Sequence, residues 1–407
     1  MASDNPIDDL RALQELIRRE GDPSQRPALT LRLDLNDEES EALFLDREEA
    51  RRLRRLEVTL LGDLRFEHME KTVEKDLRQF AREAFSDRAA DAVDAFVERH
   101  ARDVEERVCF VPVEHLKVSS VRELFGLTLL PVNHESTPDP HPFFSLEPPV
   151  GSVAAVPVLG THLGRLADRA QAKTEQSLRV LRVALRGHRM VPSPQLRFRI
   201  ADYYTFGEGL AGFETRPDAG WEIALDDELV VLAEGEPVAR LSAAPGTDVE
   251  ERAQIALRWL ADAAMEGDDM KRTLYLTFAL EAILGQKSEG RKAHALAFRR
   301  AVLSTLASDG AFTHPDGIVE LYVDARSAAV HGEDIPTVDS RSVDGFAWDV
   351  RRALNEFLVF ADREALTRRK DVRQALEQSQ AAKELETWIR EHAFNKDWGK
   401  YLDGRGG

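Results

Sequence analysis

Cysteine is almost absent from this sequence, which has one, Cys109, in 407 residues. One thiol cannot close an internal disulfide, and it cannot build a zinc site from several cysteines. Cys109 stands in the apolar run Val-Cys-Phe-Val, which is typical of a buried strand. The sequence therefore excludes a disulfide-stapled domain, and we predict a buried, structural thiol.

Long hydrophobic runs are also missing. The first ten residues are acidic, and no window approaches the roughly 20 apolar residues that a membrane-spanning helix requires. We therefore expect a cytoplasmic protein that has no membrane partner.

Positive charge is scarce in the first part of the chain. The net charge is −18, but residues 251–407 carry 23 Lys and Arg against 26 Asp and Glu, which leaves −15 for residues 1–250. RNA binding is therefore expected only in the C-terminal part, because an acidic surface repels phosphates. That part contains two basic clusters, the first formed by Lys287, Arg291, Lys292, Arg299 and Arg300 and the second by Arg363, Arg368, Arg369, Lys370 and Arg373. We predict RNA contact for the first cluster, although a solvated helix face is the more ordinary interpretation of either cluster taken alone.

Two patterns that suggest ligand sites are set aside. His134 and His141 stand beside acidic residues, but five prolines within residues 133–150 predict a loop, which rarely holds metal ligands in a fixed geometry. The letters Gly-Glu-Gly-Leu-Ala-Gly at 207–212 match a dinucleotide-binding pattern, but no long helix follows them. We therefore expect neither a metal nor a cofactor.

Alternating and periodic apolar patterns predict a mixed α+β region over residues 1–245. The predicted strands are 28–35, 56–61, 108–113, 128–132, 196–204 and 220–241, and the predicted helices are 6–20, a pair within 69–106, and 161–187. A chain of this length exceeds the usual size of a single core, so we expect two domains. A further division of the first region near 133–160 is left open.

Beyond a Pro-Gly linker at 245–246 the pattern becomes uniformly helical, and residues 250–407 predict an all-α antiparallel bundle. The predicted helices are 250–266, 271–284, 289–306, 316–331, 342–361 and 371–392. Thr247 or Asp248 is expected to cap the first of them. Trp348, Phe357 and Phe360 are predicted core residues. The fold class is therefore α+β, with a helical bundle after a mixed region.

Arg326 and His331 lie on the last turns of predicted helix 316–331, which Gly332 ends. Their five-residue separation offsets them by roughly 140° on a straight helix, so the two side chains do not share a face automatically. A helix C-terminus favours a protonated imidazole, which makes His331 a sensible proton donor. An arginine can clamp a phosphate through two hydrogen bonds.

The stretch Arg326-Ser-Ala-Ala-Val-His331-Gly resembles the R-x4-6-H motif of HEPN domains, in particular those of the Apea-like branch. The resemblance extends to an upstream apolar helix, 274–284, which carries Glu281 in its middle. A carboxylate in an apolar helix needs a partner, and Arg326 or His331 is the natural candidate. The likeness covers about residues 250–365. Ser327 departs from the common pattern, since family members often have Asn, Asp or His directly after the arginine.

The resemblance implies a metal-independent endoribonuclease, which acts as a regulated effector in prokaryotic anti-phage defence and whose N-terminal region serves as sensor or restraint. We accordingly predict catalytic roles for Arg326, His331 and Glu281, and supporting roles for Ser327 and Tyr322. Attack by a ribose 2′-hydroxyl needs an acid, a base and a cation. HEPN domains generally dimerise through the motif-bearing helices, and a homodimer would supply two motif histidines. The expected partners are therefore RNA and a second copy of the chain.

Two alternatives remain open from the sequence. The helical region could be a catalytically silent HEPN module for dimerisation or RNA binding, with a partner-binding or ligand-binding N-terminal domain. An Arg–Glu pair within a bundle and a histidine before a capping glycine would then be structural. The second alternative is a toxin-like domain that a partner enzyme neutralises by attaching a nucleotide. Tyr322 and Tyr401 are the nearby residues that could accept the nucleotide.

Overall fold

The computed structural model describes residues 5–20, 31–32, 44–45, 47–85, 91–132, 134–136, 150–186, 199–200, 204–205, 210–211, 223–286, 289–307, 314–323, 340–392 and 397–405. The density of contacts divides the chain into two compact units. The first unit comprises Met1–Cys109 and Pro157–Ala170, and the second comprises Phe110–Val156 and Gln171–Gly407. The predicted domain boundary near residue 245 lies inside the second unit.

Helices dominate the first unit. They are α1 (Pro6–Glu20), α2 (Arg47–Gly62), α3 (Val73–Phe85) and α4 (Ala92–His100), with a short 3-10 helix, Glu67–Met69, between α2 and α3. Strands β1 (Leu31–Arg32) and β2 (Phe44–Leu45) pair antiparallel. The core contains Leu10, Leu13, Leu60, Phe66, Phe80 and Phe96. The predicted helix 6–20 and the helix pair within 69–106 are confirmed.

The strand predicted at 56–61 is wrong, because these residues belong to α2. Leu56 and Leu60 lie about one helical turn apart and are buried, whereas Val58 between them is 73% exposed. A strand would have placed all three side chains on one face. The alternation of apolar and polar residues therefore concealed a helical repeat.

The main sheet has seven strands in the order β10-β9-β3-β7-β6-β5, with β8 also paired to β3. The strands that follow β2 are β3 (Glu105–Glu114), β4 (Leu116–Lys117), β5 (Arg122–Leu124), β6 (Leu127–Pro131), β7 (Val150–Gly160), β8 (Arg199–Ile200), β9 (Tyr204–Thr205), β10 (Leu210–Ala211) and β11 (Ile223–Ala224). Strands β6 and β7 pair antiparallel, with Leu129 opposite Ala154, and β11 pairs parallel to β4. The predicted strands at 108–113 and 128–132 are confirmed.

Two details of this sheet follow from its sequence. The tight turn between β5 and β6 places Phe125 and Gly126 at positive φ, 53° and 73°, as a two-residue type I′ hairpin turn requires. Cys109 on β3 is fully buried, and burial raises the pKa of its thiol to about 12. The prediction of a buried, structural cysteine is confirmed.

Helix α5 (Leu163–Leu185) confirms the predicted helix 161–187. The strands predicted within 220–241 are largely wrong, because β11 is followed by helix α6 (Asp227–Gly235) and a 3-10 helix (Pro237–Ser242). The cause is a cap, since the Asp226 carboxylate accepts from the Leu229 amide at 2.9 Å. An acidic cap followed by Asp and Glu in the first turn favours a helix over a hairpin.

The remaining helices are α7 (Asp248–Met265), α8 (Asp269–Leu284), α9 (Lys292–Ala307), α10 (Pro315–Leu321), α11 (Ser340–Arg363), α12 (Arg369–Gln378), α13 (Gln380–His392) and α14 (Asp397–Arg405). Helix α7 packs on α8, and α11 packs on α7, α8 and α9. The Thr247 hydroxyl accepts from the Glu250 amide at 3.1 Å, which confirms the predicted cap of α7.

Two predictions for these helices need correction. The helix predicted over 371–392 breaks at Ser379, whose hydroxyl accepts from the Ala382 amide at 3.1 Å and so starts a new helix. Trp348 is 50% exposed and not in the core, with the guanidinium of Arg352 5.5 Å from its ring centroid. Phe357 and Phe360 are buried as predicted.

The architecture is therefore mixed α+β, with a largely antiparallel sheet followed by packed helices, which confirms the predicted fold class at this level. Among the described residues, no helix combines the length and the apolar character needed to cross a bilayer.

Candidate active site

Glu281 occupies the last turn of α8, where it joins three elements. Its Oε1 accepts a hydrogen bond of 2.8 Å from the Tyr322 hydroxyl, and its Oε2 lies 2.6 Å from Lys292 Nζ. Tyr322 directly follows α10, and Lys292 begins α9. The side chains of Glu281 and Lys292 are 16% and 23% exposed. The carboxylate is thus held by a cation and a hydroxyl, but it keeps an edge toward solvent.

The predicted catalytic residues divide between described and undescribed parts of the chain. Glu281 and Tyr322 are in contact, whereas Arg326, Ser327 and His331 lie outside the described residues. The predicted pairing of Glu281 with Arg326 or His331 therefore stays a prediction. The structure adds Lys292 as a partner of Glu281, and RNA contact by that lysine stays a prediction.

Three arginines surround the C-terminal end of α8. Arg299 Nη1 donates to the Leu284 carbonyl at 2.9 Å, and Arg369 Nη1 donates to the Ala282 carbonyl at 3.0 Å. Arg373 Nη1 donates to the Gln286 side-chain oxygen at 2.9 Å. The exposed carbonyls of a helix end carry partial negative charge, so guanidinium groups stabilise them.

The crowding of these cations lowers the pKa of two of them. Burial lowers the pKa of Arg369, and the neighbouring charges of Arg252 and Arg373 lower it further. Burial also lowers the pKa of Arg373, to which the charge of Arg299 adds. Arg299 of the first basic cluster and Arg369 and Arg373 of the second therefore meet at one end of α8, close to Glu281.

Arg299 and Arg300 are buried in this structure, and their predicted contact with RNA is corrected. They are 3% and 0% exposed. Arg299 binds Glu289 and Glu377, the latter at 2.5 Å. A buried guanidinium that is saturated by carboxylates has no donor left for a phosphate.

Arg300 forms the most buried ion cluster of the described bundle helices. Its Nη2 and Nε donate to Asp349 at 2.8 and 3.1 Å, and its Nη1 donates to Glu356 at 2.5 Å. Arg352 approaches Glu356 from the preceding turn of α11 at 2.7 Å. The cluster ties α9 to α11 and is structural.

A cleft with a volume of about 620 Å³ opens beside the C-terminal end of α8. It is lined by Gln286, Glu289, Gly290, Arg291, Arg299, Glu377, Gln378, Lys400, Tyr401 and Gly404. Arg291 and Lys400 both lie 3.0 Å from the Asp397 carboxylate, and they are exposed. Their positive charges thus remain at the mouth of the cleft. Lys287, the remaining member of the first basic cluster, lies outside the described residues.

Tyr401, which lines the cleft, belongs to an aromatic group. The ring of His294 packs edge-on against Trp398 with 4.8 Å between centroids and lies 6.3 Å from the Tyr401 centroid. Its Nε2 is buried, and the described chain offers it no hydrogen-bond partner. Burial lowers the pKa of His294, so this imidazole is neutral near pH 7.

Lys400, Asp397 and Gln286 were missed by the sequence analysis. Asp397 and Arg291 are 106 residues apart in the chain, and no local pattern connects positions at such a distance. The second basic cluster could have indicated this site, because its members Arg369 and Arg373 do lie at the C-terminal end of α8. Their proximity to Arg299 required the packing of α12 on α8 and α9.

Within the described residues, no group of three or more His, Cys, Asp or Glu side chains is arranged to hold a metal ion. The candidate site therefore consists of Glu281, Tyr322, Lys292 and the adjoining cleft. Comparison of the chain with protein-family models, with curated proteins and with solved structures found no match.

Proposed function

We propose that the protein is a metal-independent endoribonuclease of the HEPN type, a regulated effector in prokaryotic defence whose N-terminal region is its sensor or restraint. The observation that carries the proposal is the 2.8 Å hydrogen bond from Tyr322 to Glu281. Tyr322 stands four positions before Arg326 in the sequence. The carboxylate of α8 therefore lies beside the chain that leads into the R-x4-6-H motif.

The proposed reaction is an internal transfer within RNA. A base removes the proton of the ribose 2′-hydroxyl, the 2′-oxygen bonds to the adjacent phosphorus, and the bond from phosphorus to the 5′-oxygen breaks. An acid protonates that 5′-oxygen, so the products are a 2′,3′-cyclic phosphate and a 5′-hydroxyl. DNA lacks the attacking hydroxyl and should be spared.

His331 is the proposed acid or base, and Arg326 the proposed clamp on the phosphate. Glu281 is proposed to orient these groups, as a carboxylate commonly does for an arginine or an imidazole. Tyr322 and Lys292 hold Glu281 in position. These three residues are thus proposed as the supporting part of the site.

RNA and a second copy of the chain are the proposed partners. Arg291 and Lys400 at the mouth of the cleft could neutralise phosphates next to the scissile one. The amides of Gln286 and Gln378 offer donors and acceptors for base edges. A homodimer through the motif-bearing helices would bring two His331 side chains to one RNA, which supplies both an acid and a base.

The test compares His331→Ala with a matched histidine variant, His392→Ala. His392 is exposed at the end of α13 and stacks on Trp388 with 5.3 Å between ring centroids, so its loss should not disturb the bundle core. Wild type, His331→Ala and His392→Ala are incubated with a mixed RNA pool in excess chelator. We expect 2′,3′-cyclic phosphate ends from wild type and His392→Ala, and intact RNA with His331→Ala.

Cleavage by His331→Ala at the wild-type rate would remove the assigned role of this histidine. If wild type fails to cleave but binds RNA as a dimer, the alternative of a silent dimerisation or RNA-binding module replaces the nuclease. A dependence of cleavage on added divalent metal would contradict the metal-independent mechanism.

The dimer is tested by mixing equal amounts of wild type and His331→Ala. If one RNA needs the His331 side chains of both chains, a mixed dimer is inactive. After random exchange of subunits, about a quarter of the activity of the same amount of wild type should then remain. About half of that activity in a confirmed mixture of dimers would show that each motif acts alone.

A further inference from the structure

A second cavity lies entirely among residues of the first unit. Its volume is about 480 Å³, which suits a small organic molecule better than a single ion. His68 and Arg102 supply polar groups to its wall, and Leu163 and Leu166 supply an apolar side. The proposed ribonuclease chemistry uses none of these residues.

His68 presents a buried nitrogen that lacks a partner. It belongs to the 3-10 helix of the first unit, and its Nδ1 is buried without a hydrogen bond to any described group. Such atoms are uncommon in native proteins, where buried polar groups bond to protein, water or ligand. Burial lowers the pKa of His68, and the charge of Arg102 adds to this, so the ring is neutral near pH 7.

Arg102 is fixed in place by backbone contacts. Its amide donates to the Arg65 carbonyl at 3.1 Å, and its Nη1 donates to the carbonyls of Arg99 and Ala101 at 3.1 and 3.3 Å. Across the described part of the first unit, no carboxylate lies within ion-pair distance of this guanidinium, whereas the neighbouring Arg99 binds Glu83. Arg102 is therefore an exposed guanidinium that contacts nearby carbonyls and pairs with no carboxylate in the described part of the first unit.

The other charged groups of the cavity do not fill this role. Glu105 binds Arg107 through two hydrogen bonds, of 2.6 and 3.0 Å, so this pair is neutral as a whole. Asp103 also lines the cavity and could accept an O–H or N–H from a ligand. The wall thus combines the Arg102 cation, the neutral ring of His68 and one acceptor.

The Glu67 carboxylate, which contacts Thr161 of the cavity wall, already has its partners. It is buried and accepts from the amides of Thr161 and His162 at 2.6 and 3.1 Å, and it binds Arg169. The two amides directly precede α5, and Arg169 neutralises Glu67. Binding of an anion in the cavity would therefore depend on Arg102.

We propose that this cavity binds a small organic oxyanion, whose carboxylate or phosphate head is bound by Arg102 beside the His68 ring and whose apolar part packs on Leu163 and Leu166. A guanidinium forms two parallel hydrogen bonds with either kind of head. Leu163 is 51% exposed without a ligand, and an apolar ligand group would cover it. The proposal does not depend on the ribonuclease function.

The test measures binding of phenyl phosphate, benzoate and inorganic phosphate to the full chain by titration calorimetry. Arg102→Gln should weaken phenyl phosphate or benzoate binding by about tenfold or more, since a charge-assisted contact is lost. Arg99→Gln is the matched control, because Arg99 lies at the same end of α4 outside the cavity, and it should bind as wild type does. Preference for phenyl phosphate or for benzoate identifies the head group.

A second variant guards against misfolding of Arg102→Gln. Leu163→Asp places a carboxylate on the cavity wall at the first residue of α5, where an acidic residue is favourable for the helix, so the variant should fold and repel an anion. Absence of binding to wild type by all three probes would overturn the proposal. So would equal affinity in wild type, Arg102→Gln and Leu163→Asp, or equal affinity for inorganic phosphate and phenyl phosphate.

Discussion

Helix α9 carries two ion clusters that differ in their access to solvent. At its start, Lys292 binds Glu281, and both side chains keep an exposed edge. Eight residues later, about 12 Å along the helix, Arg300 is fully buried between Asp349 and Glu356. The buried cluster satisfies its own charges and can only stabilise the bundle. The open cluster leaves atoms that a substrate or a neighbouring chain segment can reach.

Among substitutions in the two clusters, Arg300→Ala is expected to cause the largest loss of stability. The substitution leaves the buried Glu356 and the half-buried Asp349 without their main partner, and breaking a buried pair in this way costs about 3–5 kcal/mol of folding free energy. Urea unfolding measures the loss. A loss below about 1 kcal/mol, the value of an ordinary surface pair, would show that the buried cluster is not distinct from the open one.

A smaller loss is expected from Glu281→Gln. The amide keeps the shape and an acceptor for Tyr322, but Lys292 loses its ion pair, so we expect a cost of about 1–2 kcal/mol. RNA cleavage should fall more steeply than stability, because Glu281 is proposed to orient the motif. Urea unfolding and the chelator assay are run on the same preparation. Unchanged cleavage with reduced stability would make the open cluster structural as well.

A further change is expected from acidification, through His294, whose ring packs against Tyr401. Burial lowers its pKa, so the unfolded chain takes up this proton at a higher pH than the folded chain does. The free energy of unfolding that depends on His294 is therefore fully present above pH 6.5 and is lost as the pH falls toward the folded pKa. His294→Gln should show a flatter dependence of the urea midpoint between pH 7.5 and 5 than wild type. Parallel profiles would contradict a neutral, buried imidazole.

The smallest effect on stability is expected from Arg291→Ala. Arg291 is exposed and pairs with Asp397, and such pairs contribute little to folding. The urea midpoint should stay within experimental error. RNA affinity should nevertheless fall, and the slope of log affinity against log salt should decrease by about one, as for the loss of one phosphate contact. An unchanged slope would place RNA elsewhere than at the mouth of the cleft.

Helices with strong caps and regular apolar spacing could be predicted from the sequence. Thr247 marks the start of α7 in both the pattern and the structure, and α8 differs from its prediction by two residues at its start. These signals are local, since a cap and a helical face involve residues within a few positions of each other. The tertiary fold adds little to them.

The errors share a different cause. Residues 56–61 alternate like a strand, and only the burial of Leu56 and Leu60 with exposure of Val58 reveals a helix. Arg299 and Arg300 look like a basic surface because their carboxylate partners Glu377 and Asp349 lie 78 and 49 residues away. Whether a charged side chain is buried depends on contacts with residues far away in the sequence. The local periodicity of the sequence holds no information about such contacts.

The candidate site shows the same division. The sequence singled out Glu281 as a carboxylate that needs a partner, and its hydrogen bond to Tyr322 is in the structure. Its ion pair with Lys292 could have been anticipated from the eleven-residue separation across one helix connection. The cleft could not have been predicted from the sequence, because residues of α9, α12 and α14 line it together.

The hydrogen bonds that Glu67 accepts from the residues just before α5 have a consequence for the order in which the protein is made. The carboxylate is synthesised 94 residues before the Thr161 amide that it binds. Strands β3 and β7 and helix α5 each contain a point where the chain passes from one unit to the other. A ribosome that has released only the first 109 residues has therefore not yet supplied the segment that completes the first unit. This unit closes only after part of the second has been translated, although it contains the N-terminus.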